Sequence, residues 1–207
     1  MNINFKAIIF DLGGVILNID YHKTSNAFKA LGVNNFDALY SQAKQNQIFN
    51  NIETGKISPD EFRTYLKRQI KIPINDYQID TAWNAMLLDL PKPRVNLLRQ
   101  LRNRYPIFLY SNTNAIHLQA FQNIIKQSYG KAGLLEDLFV KTYYSHELGM
   151  RKPNRKGFEY ILHQNGLTAE KTLFIDDSAQ HIEGAKSVGL KTYHLVHEDI
   201  TEIFDKI

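Results

Sequence analysis

Asp11 closes the apolar run Ala7-Ile8-Ile9-Phe10 and is followed at once by Leu12-Gly13-Gly14-Val15. A buried strand that delivers one carboxylate onto a glycine-rich turn suits a nucleophile or a metal ligand. Three later segments bring complementary groups. Ile107-Phe108-Leu109-Tyr110 runs into Ser111-Asn112-Thr113-Asn114, the stretch after Phe139–Tyr144 leads to Gly149-Met150-Arg151-Lys152-Pro153, and Leu173-Phe174-Ile175 ends in Asp176-Asp177-Ser178. A carboxylate, a hydroxyl with an amide, a lysine and a carboxylate pair are what a phosphate ester and Mg²⁺ together require. Mg²⁺ takes octahedral oxygen coordination, with one or two carboxylates beside phosphate and water; Asp11, Asp176 and Asp177 can supply the carboxylates. Ser111 can donate to a phosphoryl oxygen, and Lys152 offers a compact charge for both phosphate and Asp11. With its charge partly neutralised, Asp11 could attack phosphorus and form an aspartyl-phosphate that water then hydrolyses.

Positioning these groups calls for a particular architecture. Five β-rich runs, Ala7–Phe10, Ile107–Tyr110, Phe139–Tyr144, Leu173–Ile175 and Thr192–Val196, alternate with helical patterns such as Val95, Leu98 and Leu101, or Phe158, Ile161 and Leu162. Strands alternating with helices predict an α/β fold with a doubly wound parallel sheet covered on both faces. In such a sheet ligands bind beyond the carboxyl ends of the strands, where the polar segments above fall. Residues 18–90 differ. They show helical periodicity, as in Phe28 with Leu31 and Phe62 with Tyr65 and Leu66, and no convincing buried strand. Ser58-Pro59 reads as an N-cap with proline at the first helical position. The expected division is a core of residues 1–17 and 91–207 with an inserted helical cap of residues 18–90, hinged near 17–20 and 88–93.

Composition sets outer bounds. The chain has 207 residues, is 43% hydrophobic and contains no cysteine, which rules out disulfides and thiolate metal sites. The N-terminal residues lack a signal-peptide pattern, and no apolar stretch reaches the roughly 18 residues of a membrane span. A cytoplasmic protein is expected, without membrane association. The net charge of +4 is spread along the chain rather than gathered in a stripe, which argues against nucleic acid as a partner and suits a small anionic substrate.

Taken in order, Asp11-Leu12-Gly13-Gly14-Val15, Ser111-Asn112-Thr113-Asn114, Arg151-Lys152-Pro153 and Phe174-Ile175-Asp176-Asp177 resemble the four motifs of the haloacid dehalogenase (HAD) superfamily. The resemblance spans nearly the whole chain and includes a helical cap of the C1 type inserted after the first motif of a Rossmann-like core. Within the superfamily the chain is most similar to small bacterial phosphatases of sugar phosphates. The resemblance implies a Mg²⁺-dependent phosphomonoester hydrolase with a small phosphorylated metabolite as substrate, a hexose 1-phosphate above others; a monomer is the default expectation. It makes Asp11 the nucleophile and Lys152 its catalytic partner, with Ser111, Asn112, Lys152 and Gly13 around the phosphate. Asp11, the carbonyl of Gly13, Asp176 and Asp177 would hold Mg²⁺, with Asp177 the direct ligand of the pair.

The chain departs from the pattern at Gly13, where most phosphatases of the superfamily carry an aspartate that protonates the leaving alcohol and activates water. Such an acid/base is worth about 10²–10⁴ in rate. Three explanations stand side by side: a leaving group that departs without a strong acid, as an anomeric oxygen does; a substitute from the cap side, with Asp20, His22 and Glu53 as candidates; or a phosphate-binding or partner-regulating protein of low activity. Dehalogenation has no use for a carboxylate pair like Asp176-Asp177. The seven histidines show no metal-ligand spacing, and His181 reads as a helix-surface or supporting group. Trp83 reads as cap core, and Glu53-Thr54-Gly55 as an inter-helix turn that a cap could lower over the site.

Overall fold

The computed structural model describes residues 4–45 and 47–204; the outermost ends of the expected core segments lie outside the described residues. Five strands, β1 (Ala7–Phe10), β2 (Ile107–Ser111), β3 (Lys141–Tyr144), β4 (Thr172–Asp176) and β5 (Lys191–His194), form one sheet in the order β3-β2-β1-β4-β5. Every pairing is parallel. β1, β2 and β4 are buried along their whole length, as expected of strands covered on both faces. Alternate residues point to opposite sides. Ile8, Phe10, Leu109 and Ile175 join one hydrophobic cluster, while Ile9, Phe108, Tyr110 and Phe174 join the other.

Two strand ends lie two residues from the sequence reading, and the others agree to within one residue. Phe139, expected to begin β3, instead caps a preceding helix and packs its ring 6.0 Å from Phe10. The edge strand β5 spans Lys191–His194 rather than Thr192–Val196. Both are edge strands whose polar residues dilute the apolar run that marks a buried strand.

The helices that follow in the chain are α1 (Tyr21–Ala30), α2 (Phe36–Gln45), α3 (Ile48–Glu53), α4 (Pro59–Gln69) and α5 (Asp76–Asn84) between β1 and β2, then α6 (Lys92–Arg102). After β2 come α7 (Ala115–Tyr129), α8 (Leu134–Leu138), α9 (Ser145–Leu148), α10 (Arg155–Gln164) and α11 (Ala179–Lys186). The first five form the helical insertion, with a hydrophobic cluster around Phe28, Phe62, Ile79 and Trp83 that also takes in Ile116 of α7. Ser58 caps α4 through a capping box with Glu61, with Pro59 at the helix start. The chain enters and leaves this layer side by side. Asn18 N–H donates to Asp89 O at 2.8 Å, Leu88 N–H to Asn18 O at 3.0 Å and Asp20 N–H to Met86 O at 2.9 Å.

One buried histidine joins the two layers. His117 of α7 stacks on Trp83 of α5, with ring centroids 5.2 Å apart and planes 7° from parallel, and its Nδ1 lies 2.8 Å from Asn84 Oδ1. Burial pushes its pKa down to about 3. The folded protein therefore keeps His117 neutral at a pH where the unfolded chain takes up a proton. Its contribution to stability is whole above pH ~6.5 and declines as pH falls from there towards 3, by up to about 1.4 kcal/mol per pH unit. Between pH 7.5 and 5.0, urea unfolding of the native protein is expected to lose about 2 kcal/mol more than that of His117→Gln. Parallel losses in the two proteins would show that His117 is not the titrating group.

Candidate active site

The parallel register sets the expected residues at one edge of the sheet. β1 hands over to Asp11 just after Phe10, which pairs with Leu109 and Ile175, while β2 and β4 end in Ser111 and Asp176. The loop after α9 then brings in Lys152. Its side chain is fully buried, with Nζ 2.8 Å from Asp11 Oδ1 and 2.6 Å from Asp176 Oδ2. The rings of Tyr110 and Phe174 lie 5.6 and 5.4 Å from the same nitrogen, so two carboxylates and two aromatic surfaces offset its desolvation. Gly157 makes room for Tyr110, since a Cβ there would sit 2.0 Å from the phenol oxygen.

Asn112 was expected at the phosphate. It lines the same cavity, but its amide is engaged with the main chain of Lys152: Nδ2 donates to Lys152 O, and Oδ1 accepts from Lys152 N–H, both at 2.9 Å. This two-point grip ties the end of β2 to the lysine loop and fixes where the ammonium enters. His181 takes a comparable role at Asp176. Its Nδ1 lies 2.9 and 3.0 Å from the two carboxylate oxygens, and Ser178 N–H donates to Oδ1 at 2.8 Å.

The electrostatics follow from this packing. Burial raises the Asp11 carboxyl, against the opposing pull of Lys152. Burial also works against charge on Asp176, but Lys152 and His181 outweigh it and hold that carboxyl below its ordinary range. Burial and then Asp176 raise Asp177. Two buried carboxyls, Asp11 and Asp176, thus share one ammonium, with Asp177 adding a third at the rim, an excess of negative charge that a divalent cation would neutralise.

The donor geometry fits such an ion. Oxygens of Asp11 and Asp176 and a ring nitrogen of His181 lie within 4.8 Å of one another, but Lys152 and the imidazole already occupy Asp176. Asp177 sits at the accessible rim yet leans inward, so that a Cβ on Gly14 would meet its Oδ2 at 2.2 Å. Gly14 also has φ +76°, in the left-handed region. The turn therefore admits only glycine where Asp177 approaches, and leaves the Gly13 carbonyl between the two acids in sequence. At Gly13 the space an acid side chain would enter is bordered by Ile19, whose Cδ1 would be 3.0 Å from an added Cβ.

Asp11, Gly13, Ser111, Asn112, Asp177 and His181 all line a cavity of about 480 Å³, the size of a small-metabolite site. The helical insertion forms its other wall with Tyr40, Phe49 and Glu53. Of the three cap-side acid candidates, Glu53 alone borders this cavity. Asp20 caps α1, its carboxylate accepting from His22 N–H at 2.9 Å, and His22 is exposed. Glu53 faces Arg151, with Oε2 2.8 Å from Nε. Burial raises its carboxyl, opposed by Arg151 and then Lys152. Nothing in the local sequence marks this pair.

The family model for haloacid dehalogenase-like hydrolases matches residues 5–189. The chain belongs to this family. It is 32% identical over 188 residues to a D-ribitol-5-phosphate phosphatase of Bacteroides thetaiotaomicron, covering 91% of this chain and 90% of the relative. A sesquiterpene phosphatase of Aspergillus oryzae is 29% identical, over 92% of this chain and 90% of its own. A HAD family enzyme of B. thetaiotaomicron, solved in complex with magnesium and inorganic phosphate, superposes with a TM-score of 0.87 at 35% identity, covering 97% of this chain and all of that one. The parallel five-stranded sheet with its helical insertion is thus the HAD fold, and the protein is a hydrolase of that family. No helix among the described residues is long and apolar enough to cross a membrane.

Proposed function

We propose that the protein is a Mg²⁺-dependent phosphomonoester hydrolase of small sugar and sugar-alcohol phosphates, working through an aspartyl-phosphate on Asp11. The observation that carries this reading is Lys152 Nζ held between Asp176 and Asp11, the latter lining the cavity. An ammonium there both positions the nucleophile and offers charge to a phosphoryl group. Asp11, the Gly13 carbonyl and Asp177 would hold Mg²⁺, which when bound supplies charge neutralisation at the phosphoryl oxygens. Ser111 lies at the end of β2, where its hydroxyl can donate to a phosphoryl oxygen. An Asp11 oxygen bonds to phosphorus as the P–O ester bond breaks, and the departing oxygen takes a proton from water to leave as the alcohol. Water then attacks the same phosphorus, releasing phosphate and restoring Asp11. The insertion, residues 18–90, acts in this reading as a cap that limits water at the reacting bond.

Gly13 had pointed to hexose 1-phosphates, whose anomeric oxygen leaves easily. The relative named for D-ribitol 5-phosphate takes an ester of a primary alcohol, and it supports widening the class to polyol phosphates. Such esters belong to the cell's own pool of phosphorylated metabolites, which supports a cytoplasmic reaction as part of this reading. The test is phosphate release from paired hexose 1-phosphates, hexose 6-phosphates and pentitol phosphates, with Mg²⁺ and with chelator. Turnover of at least one of these esters that vanishes with chelator is expected. A folded protein that releases phosphate from none of them would overturn the reading.

A further inference from the structure

We infer that Glu53 and Arg151 form a clamp that recognises adjacent hydroxyl groups of the substrate, and that the pair selects a neutral polyol chain over a second charged group. The inference rests on the phosphatase reading of the cavity and names what its outer half binds. Glu53 ends α3 in the insertion, and Arg151 precedes Lys152 in the core loop, so the pair spans the cavity from its two walls. Glu53 Oε2 and Arg151 Nε face each other 2.8 Å apart in side chains 24% and 34% exposed, which leaves Glu53 Oε1 as an acceptor and the terminal guanidinium nitrogens as donors in want of partners.

A ligand with neighbouring hydroxyls meets both needs, since one O–H donates to the carboxylate while another oxygen accepts from the guanidinium. A second phosphate or carboxylate on the ligand would be drawn to Arg151 but repelled by Glu53, and an ammonium would meet the reverse. Only a neutral group that both donates and accepts suits a paired acid and base. Asn50 lies one turn before Glu53 on α3 and adds an amide to the same wall, beside the rings of Tyr40 and Phe49. The height of Glu53 over the site is set by the turn that follows it. Gly55 has φ +66° and lies so close to the core that a Cβ would be 2.3 Å from the His146 carbonyl oxygen.

The test compares D-ribitol 5-phosphate with n-pentyl phosphate, which has the same primary leaving oxygen and carbon count but no free hydroxyl. In Glu53→Ala, and separately in Arg151→Ala, the ratio of kcat/KM for the polyol ester over the alkyl ester is expected to fall by about 10- to 100-fold, mostly through KM. Calorimetry of free D-ribitol with Mg²⁺ and inorganic phosphate present supplies a readout apart from turnover. The native protein should bind ribitol, and either variant should bind it at least about 10-fold more weakly. An unchanged ratio, an equal fall on both esters, or no ribitol binding by the native protein would overturn the clamp. Native protein that binds ribitol in a manner dependent on Glu53 but hydrolyses neither ester would instead remove the phosphatase reading and leave the clamp standing.

Discussion

Asp11→Asn is expected to lower phosphate release by at least about 10⁴-fold on every ester the native protein hydrolyses, while the protein remains folded. The amide is a poor nucleophile towards phosphorus, and no other carboxylate can take its place. Asp176 is locked to Lys152 and His181, and Asp177 sits at the exposed rim against Gly14. The substitution is nearly isosteric and removes one of the crowded negative charges, so thermal stability should be kept or slightly raised. Stopped turnover with an unchanged or higher Tm identifies Asp11 as the nucleophile. Residual turnover within 10-fold of native would mean that water attacks the ester directly and that Asp11 serves only as a ligand.

Lys152→Met is expected to affect both activity and stability. The side chain is fully buried and its length is matched by methionine, so packing is largely preserved. What is lost is the only cation between Asp11 and Asp176. Breaking a buried ion pair by removing one partner costs about 3–5 kcal/mol, a large share of the roughly 5–15 kcal/mol typical of a domain. The dependence on pH has a definite sign. Lys152 holds the Asp176 carboxyl below its ordinary range, so that contribution is present above the unfolded value of 3.8 and is lost as pH falls through the folded one. The native and variant unfolding free energies should therefore be far apart at pH 7.5 and converge as the acids protonate. Urea unfolding across that range measures it, and a gap that stays constant with pH would show that the cost is one of packing rather than charge.

Much of the fold was legible in sequence because a central parallel strand is buried on both sides and so reads as an unbroken apolar run. Ala7–Phe10 and Leu173–Ile175 are of this kind. The edge strands are not: Lys141-Thr142-Tyr143-Tyr144 and Lys191-Thr192-Tyr193-His194 carry polar residues on a partly solvated rim. Strand β3 was consequently extended backwards to the apolar Phe139. Asp11, Ser111 and Asp176 could be collected from sequence because each ends or directly follows a strand, and Lys152 because it lies in the loop beyond β3; Asp11 and Ser111 line the cavity, and Lys152 and Asp176 lie buried behind Asp11. The supports of these residues could not. Asn112 grips a backbone 40 positions away, and Glu53 meets Arg151 across two layers. Contacts of that kind depend on how separate loops approach one another, which no local pattern encodes. His117 gave no signal either, because a histidine on a helix face looks the same whether it stacks on a neighbouring layer or meets solvent.

The side-by-side passage of the chain at Asn18–Asp20 and Met86–Asp89 has a consequence for how such a protein can diversify. The entropy of closing a loop grows only logarithmically with its length, about 0.6 kcal/mol for each doubling, and here a short antiparallel stem closes the loop before the sheet is reached. Strands β1 and β2 therefore meet in the same register, Ile8 opposite Ile107 and Phe10 opposite Leu109, whatever the stem carries. The stem thus fixes where α1 to α5 join the core, while the stack of Trp83 on His117 and the Glu53–Arg151 pair tie the insertion to α7 and the lysine loop. Where those ties are kept, cavity-wall side chains such as Tyr40 and Phe49 can be replaced, and substrate choice redrawn with them, without moving Asp11 relative to Ser111 below.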